Sequence, residues 1–444
     1  MRDIFEELIA ARETDDPFSL YSVCSANQLV LETAVRRSVR SGLPLLIEAT
    51  ANQVNQEGGY TGMQPSDFVA RLQGLCDRYG ADRESIVFGG DHLGPYPWRK
   101  LAAEKAMQSA ETLVRAFVAA GARKIHLDAS MHLGGDTTAV PDPRIAASRA
   151  AQLCRAAEDE YEKATTKGKP FLPPVYVIGT EVPVPGGTLD DDSEPGAGPA
   201  PTSYASLLST LELHEEAFYS FGLHDAWKRV IGVVVQPGLE FGSEIVHPYE
   251  RKHAEELKQI FSIKAHLFFE AHSTDYQSSE ALRSLTRDGF AFLKVGPALT
   301  FAYREALVGL AYIEQRLHGR SKNRILESLS HIMRRDDRYW RDYYAKGDDT
   351  ELIFSLSDRV RYYWDDPSLV QEVEQLFQSI DAHERVTPGL FSQYLPRFSG
   401  PHTTSMFLSS GLHDPREFVM YAIDAELSRY EQACFSNRGC VHAK

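Results

Sequence analysis

Short apolar runs alternate with helix-length amphipathic stretches along most of the chain. Eight runs, rich in Val, Ile, Leu and Phe and bounded by turn residues, predict β-strands. They are "LYSVCSA" (20–26), "PLLIEAT" (44–50), "SIVFGGDH" (85–92), "ARKIHLDAS" (122–130), "PPVYVIGTEV" (173–182), "VIGVVVQP" (230–237), "AHLFFEAHS" (265–273) and "AFLKVGPAL" (291–299). Helical patterns separate them. "NQLVLETAVRRSVRSG" has apolar residues at helical spacing and ends at Gly42. "PSDFVARLQGLCDRYG" opens on Pro65 and Ser66, which are helix-start signals, and stops at Gly80. "LAAEKAMQSAETLVRAFVAAGA" is alanine-rich and stops at Gly121.

Eight strands alternating with helices imply parallel strands joined by crossovers. Eight also closes a (β/α)8 TIM barrel, for which residues 1–320 are long enough. An open doubly wound sheet is the competing arrangement. It is weakened because no Gly-x-Gly-x-x-Gly follows the first strand. After residue 320 the strand pattern stops. "NRILESLSHIMRRDDRYWRDYYAKG", "DRVRYYWDDPSLVQEVEQLFQSI" and "PREFVMYAIDAELSRYEQAC" predict helices. Residues 321–444 are therefore expected to form a helical C-terminal extension on the barrel, its aromatic surface covering the site or making an oligomer contact. "VPGGTLDDDSEPGAGPAPTSY" (184–204) is acidic and rich in Pro and Gly, and predicts an irregular loop on the active face.

In a barrel, one parity of each strand faces the pore. In "PLLIEAT" the apolar set Leu45, Ile47, Ala49 alternates with Leu46, Glu48, Thr50. In "RKIHLDAS" Ile125, Leu127 and Ala129 alternate with His126, Asp128 and Ser130. In "HLFFEAHS" Leu267, Phe269 and Ala271 alternate with Phe268, Glu270 and His272. The third strand ends in Asp91 and His92, the fifth adds Glu181, the sixth Gln236 and the eighth Lys294. One buried strand His or Asp is commonly part of a satisfied hydrogen-bond network. Polar residues at the same end of most strands are different, because barrel active sites are built from several strand ends on one face.

Composition narrows the class of protein. The chain has 444 residues, 43% hydrophobic and 25% charged, with a formal charge of -15. That acidity argues against nucleic acid and anionic membranes as partners, without excluding a local cationic pocket. Five scattered cysteines without a CxxC pair point to a reducing compartment. The start, "MRDIFEELIAARE", is an acidic amphipathic helix unlike a signal peptide, and no apolar run approaches membrane-spanning length. A cytoplasmic location is expected.

The chemistry follows from the residue types. His92 and His272, with carboxylates at 91, 128, 181 and 270, suit a divalent metal such as Zn2+ or Mn2+. A metal-free network of Asp, Glu and Lys294 is the competing interpretation. Lys294 could also act as a Schiff-base nucleophile, although pairing with Glu270 or contacting a phosphate suits it better. Asn52, Gln53, Asn55 and Gln56 offer amides suited to sugar hydroxyls. Neither a P-loop nor a Gly-x-Ser-x-Gly elbow occurs.

Seven stretches in order, "EATANQVNQEGGYTGM", "FGGDHLGPYPW", "IHLDASM", "GTEVPVPGG", "QPGLEFG", "FEAHSTDYQ" and "LKVGPALTFAYREAL", resemble the GatZ/KbaZ family over nearly the whole chain. The resemblance implies the barrel of class II aldolases. It implies one of two activities: a D-tagatose-6-phosphate 4-epimerase, or a non-catalytic accessory subunit of class II D-tagatose-1,6-bisphosphate aldolase. Aldolase activity by the chain alone ranks third, and a tagatose-6-phosphate kinase label found in the family has no supporting motif. C4 of a 2-ketose is not α to the carbonyl, so epimerisation there calls for C3–C4 cleavage and re-addition, with a Lewis acid and acid/base carboxylates. Expected roles are His92 and His272 as metal ligands, with Glu270 or Glu181 completing the shell. Asp91, Asp128 and whichever of Glu181 and Glu270 is free serve as acid and base. Glu48, Asn52, Gln53, Gln236 and Lys294 are expected to bind substrate. Gly186, Gly187, Arg359 and Arg361 are further phosphate candidates. A sugar phosphate is the expected ligand, with an aldolase subunit or a second copy of the chain as possible partners.

Overall fold

The computed structural model describes residues 3–12, 14, 17–138, 141–168, 172–179, 198–319, 322–381, 386–398 and 414–436. Eight parallel strands close on themselves in chain order: β1 (Leu20–Val23), β2 (Leu45–Thr50), β3 (Ile86–Leu93), β4 (Lys124–Leu127), β5 (Val175–Ile178), β6 (Val230–Val234), β7 (Phe268–Ala271) and β8 (Phe290–Val295). β8 pairs back onto β1, with Ser22 opposite Lys294. The fold is a (β/α)8 TIM barrel, as the strand count predicted, and each strand lies within or beside its predicted run.

The helices follow their start and stop signals. Asn27 caps helix Gln28–Ser41 by accepting from Leu29 N and Val30 N, and Gly42 ends it in the left-handed conformation (φ 67°). Pro65 opens helix Pro65–Tyr79, where Asp67 accepts from Gln64 N. The acidic first helix, Ile4–Ala11, closes the N-terminal mouth of the barrel. Its Phe5 ring lies 6.3 Å from Phe292, and Asp3 pairs with Arg123 at 2.7 Å. Among the described residues no helix is long and apolar enough to cross a membrane.

Two C-terminal stretches depart from the expected helices. Helix Arg324–Arg335 stops before the aromatic segment 336–347, which forms irregular turns. Tertiary contacts outweigh helix propensity there: Trp340 Nε1 donates to Met333 O, and Tyr339 stacks on Tyr362 at 4.8 Å. The second stretch forms a short 3-10 helix, Arg359–Tyr362, and its α-helix opens only at Pro367 (Pro367–Asp381), because proline disfavours helix in the residue before it. Helix Pro415–Cys434 matches its prediction and packs against helices Gln28–Ser41, Ser279–Arg287 and Pro297–Leu317. Arg37 joins it to the barrel through Asp424 (3.0 Å) and Glu431 (2.8 Å). A short antiparallel pair, Glu240–Phe241 with Val246–His247, follows β6 and has no counterpart in the predicted elements.

Candidate active site

Charged side chains fill the barrel interior in two tiers. The lower tier contains Glu48, Lys124, Glu270 and Lys294, and solvent barely reaches any of them. Lys124 Nζ lies 2.7 Å from Glu48 and 2.6 Å from Glu270. Lys294 Nζ bonds Glu48 and lies 3.0 Å from Asp91 and 3.4 Å from Glu270. Ser22 also donates to Glu48. An isolated buried charge would be strongly unfavourable, and mutual pairing makes this tier tolerable. With Asp91 of the tier above, three carboxylates face the two ammonium groups, which leaves this cluster electronegative.

The upper tier holds three imidazoles. The ring centroids of His92, His126 and His272 lie 4.7 to 5.2 Å apart, and one ligand-type atom from each, with one from Asp91, fits within 4.8 Å. On each ring one nitrogen is held by a carboxylate. His92 Nδ1 meets Asp128 at 2.7 Å, His126 Nδ1 meets Asp91 at 3.2 Å, and His272 Nε2 meets Glu270 at 2.8 Å. The other nitrogens, His92 Nε2, His126 Nε2 and His272 Nδ1, are shielded from solvent and have no hydrogen-bond partner. Buried polar atoms are nearly always satisfied. Three exceptions on neighbouring rings, each ring bonded to a carboxylate through its other nitrogen, form a donor set that fits a divalent cation.

Local backbone geometry makes the convergence possible. Successive strand residues point to opposite faces, so Asp91 and His92 could not both face the pore of a regular β3. The β3–β4 register slips by one residue between Gly90 and Leu93, and His92 takes a positive φ of 47°. Gly94 then lets the chain turn closely over β4, where a Cβ would come within 1.6 Å of Asp128 O.

Electrostatics separate the roles. Burial opposes ionisation of Asp91, yet Lys294, His92 and His126 outweigh it and hold the carboxyl well below its usual range. Asp128 likewise overcomes burial through its bond to His92 and falls to about 2. Burial would lower His92, but Asp91 and Asp128 raise it to about 9. Burial prevails at His272, which falls to about 4. Surrounding carboxylates outweigh burial at Lys294 and keep its ammonium protonated, which argues against a Schiff-base role.

Above the imidazoles opens a pocket. Asp91, His92, Asp128, His272, Asn52, Gln53 and Lys294 line it, as do Cys24, Tyr60 and Tyr96. Arg361 and Tyr362 of the C-terminal region form part of one wall. Asn52 lines the pocket, whereas the Gln53 amide is already bonded to Thr50 N and Cys24 O. Asn55 and Gln56 support the loop and its neighbour through Ala51 O and Ser109 O.

Several expected contacts fall elsewhere. Glu48 lies in the lower tier, bonded to both lysines, and does not line the pocket. Gln236 uses its amide oxygen on Gly238 N within its own turn. Glu270 sits behind His272, its oxygens engaged by His272 and Lys124. Arg359 is buried over the Tyr343 ring and donates to Tyr339 O. Glu181, Gly186 and Gly187 lie outside the described residues. Conversely, Lys124 and Cys24 were not singled out from the sequence, and His126 was not assigned a ligand role. Lys124 and His126 share the pore-facing parity of Asp128, which is the signal that identifies them.

The sequence matches the family described as "D-tagatose-1,6-bisphosphate aldolase subunit GatZ/KbaZ-like" over residues 5–435. It is 43% identical over 443 residues to a protein of Agrobacterium fabrum named D-tagatose 6-phosphate 4-epimerase, covering 99% of this chain and 100% of the relative. It is 44% identical over 396 residues to the Salmonella gallinarum D-tagatose-1,6-bisphosphate aldolase subunit GatZ, covering 88% and 90%. A crystal structure titled as a probable tagatose 6 phosphate kinase from Sinorhizobium meliloti 1021 is 40% identical and superimposes with a TM-score of 0.81 over 94% of this chain and 100% of that one. On this whole-length match the chain belongs to the GatZ/KbaZ-like family of D-tagatose-1,6-bisphosphate aldolase subunits.

Proposed function

We propose that this chain is a cytoplasmic, metal-dependent ketose-phosphate 4-epimerase that interconverts D-tagatose 6-phosphate and D-fructose 6-phosphate. The observation that carries the proposal is the set of three orphaned imidazole nitrogens, each on a ring bonded to a carboxylate, beside a pocket that two of those carboxylates, Asp91 and Asp128, also line. A scaffold without chemistry has no physical reason to bury such a set.

Inversion at C4 proceeds by breaking C3–C4. The C4 hydroxyl gives up its proton and becomes an aldehyde, while the bonding electron pair passes to C3 and conjugates with the C2 carbonyl. The aldehyde fragment turns, C3 attacks its opposite face, and the proton returns to the C4 oxygen. A divalent cation, Zn2+ or Mn2+, held by His92, His126 and His272 with Asp91 beside them, would supply the positive charge that stabilises the developing enediolate. Asp91 and Asp128 are the carboxylates beside the imidazoles that line the pocket, and we assign the C4–OH proton transfer to them. Asn52 contacts substrate hydroxyls. Tyr60, Tyr96 and Tyr362 limit the entry of water.

A second reading, an accessory subunit of D-tagatose-1,6-bisphosphate aldolase, is favoured by the names of the GatZ relatives. One assay separates the two. The purified chain is supplied with D-tagatose 6-phosphate, and D-fructose 6-phosphate is followed with and without a chelator. Turnover abolished by chelation and restored by Zn2+ or Mn2+ supports the epimerase. Absence of turnover by the metal-loaded chain, with an aldolase chain co-purifying, selects the accessory role.

A further inference from the structure

Three sources of positive charge border the pocket besides the histidines, and two are already compensated. Lys294 is surrounded by Glu48, Asp91 and Glu270. The N-terminal end of helix Pro297–Leu317 faces Asp275, whose Oδ1 accepts from Gly296 N at 3.0 Å and Ala298 N at 2.7 Å, so a carboxylate occupies the positive end of that helix.

Arg361 is the third. Its Nη1 donates to Ser357 O and, at 3.1 Å, to Asp358 O, and its Nη2 donates to the Tyr362 hydroxyl at 3.0 Å. These acceptors are two backbone carbonyls and a phenol hydroxyl, and no carboxylate lies within ion-pairing distance among the described residues. The carboxylates acting on it at longer range have partners of their own: Asp275 holds the helix amides, and Asp358 is held by Arg304 at 2.8 Å and by Thr300. Arg361 Nε–H and the second Nη2–H have no acceptor among the described residues. The turn that carries the arginine is itself pinned, because the buried Arg304–Asp358 pair ties it to helix Pro297–Leu317. A guanidinium is thus fixed on the pocket wall without a paired carboxylate and with donors to spare. That arrangement is suited to a phosphate dianion, whose planar pairs of oxygens match the guanidinium fork.

We propose that Arg361 binds the phosphate of the substrate and thereby selects a phosphorylated ketose over the free sugar. This rests on the reading of the pocket as a ketose site. Because the residue holds the phosphate and does not act at C4, its loss is expected to fall on one substrate and not on the chemistry.

The test compares full-length wild type with Arg361→Gln, using D-tagatose 6-phosphate and free D-tagatose as alternative substrates. Truncating one member of a desolvated charge pair is expected to lower kcat/KM for the phosphorylated ketose by about 100-fold or more, with less than about threefold change for the free ketose. Inorganic phosphate is expected to inhibit the wild type competitively and the variant at least about tenfold more weakly. Equal losses on both substrates, or unchanged discrimination, overturn the assignment. If Arg361→Gln does not fold, Arg361→Lys replaces it. There the charge remains but the fork is lost, and a selective fall of about tenfold on the phosphorylated ketose is expected. If the wild type turns over neither sugar, calorimetric binding of D-tagatose 6-phosphate decides separately. Binding that weakens in the variant supports Arg361 while the epimerase reading fails, and equal or absent binding in the wild type and variant overturns Arg361 as well.

Discussion

Lys124 Nζ lies 2.6 Å from the Glu270 carboxylate inside the barrel, and neither side chain is exposed to solvent. The lysine links the structural and chemical tiers, because Glu270 orients His272 and Glu48 holds Lys294. Lys124→Met would leave Glu48 and Glu270 short of a counter-charge at a site water cannot reach. The expected loss is about 3–5 kcal/mol of folding stability, read from urea denaturation. Lys124→Met combined with Glu270→Gln is expected to recover part of it, because the uncompensated charge is then gone.

Glu270 and Asp128, the carboxylates behind His272 and His92, should govern metal affinity without binding metal themselves. Glu270→Gln and Asp128→Asn are expected to weaken Zn2+ binding about 10- to 100-fold, because each releases an imidazole from its fixed orientation and lowers its basicity. His126→Ala, which removes a donor, should weaken binding more than either. Titration of the apoprotein with Zn2+ by calorimetry checks the order. Equal affinity for wild type and His126→Ala would remove His126 from the ligand set.

Gly94 allows β3 to turn over β4. A Cβ there would overlap the Asp128 carbonyl oxygen, and the obstructing atom is backbone, which cannot rotate away. Gly94→Ala is expected to lower stability by at least about 3 kcal/mol, in the range of the severest overpacking, and to displace Asp128 from His92. Thermal denaturation measures the first effect, and loss of turnover in any folded fraction reports the second.

Glu240 lies fully buried on the short strand pair after β6. One of its oxygens accepts from Phe241 N and the other has no partner. Burial raises its pKa from 4.5 to about 7. The folded chain therefore holds a proton that the unfolded chain releases. The associated stability is complete below about pH 4.5, declines as pH rises and is lost above about pH 7. Glu240→Gln cannot ionise, so relative to wild type it should gain up to about 3 kcal/mol between pH 4.5 and pH 8. Tm measured across that range for both proteins checks the sign: a difference that stays constant with pH would contradict it.

The architecture was legible along the chain because barrel strands and their helices announce themselves locally. Strands buried on both faces read as apolar runs, and helix ends carry their own signals, such as Asn27 and Gly42 at the two ends of helix Gln28–Ser41. Departures came where distant groups dominate. The segment 336–347 has helical composition, but Trp340 and Tyr339 are held by partners on other turns, which no local pattern reveals.

The site divides in the same way. Parity alone brought His126, Asp128, Glu270, His272 and Lys294 to the pore, since alternation is a property of the strand itself. Parity could not bring Asp91 and His92 to the same side, which took the β3–β4 register slip and the positive φ of His92. Nor could it rank the carboxylates. Glu48 and Glu270 look like substrate contacts or ligands in one dimension, but the two lysines meet them in three and hold them below the pocket. Arg361, more than sixty residues past the last strand, reaches the wall only because Arg304 and Asp358 pin its turn there. The sequence by itself determined which chemistry the barrel could assemble, because residue type and strand phase are local. The tertiary structure decided which groups touch one another, because charge pairing in a buried interior depends on distances the chain order does not contain.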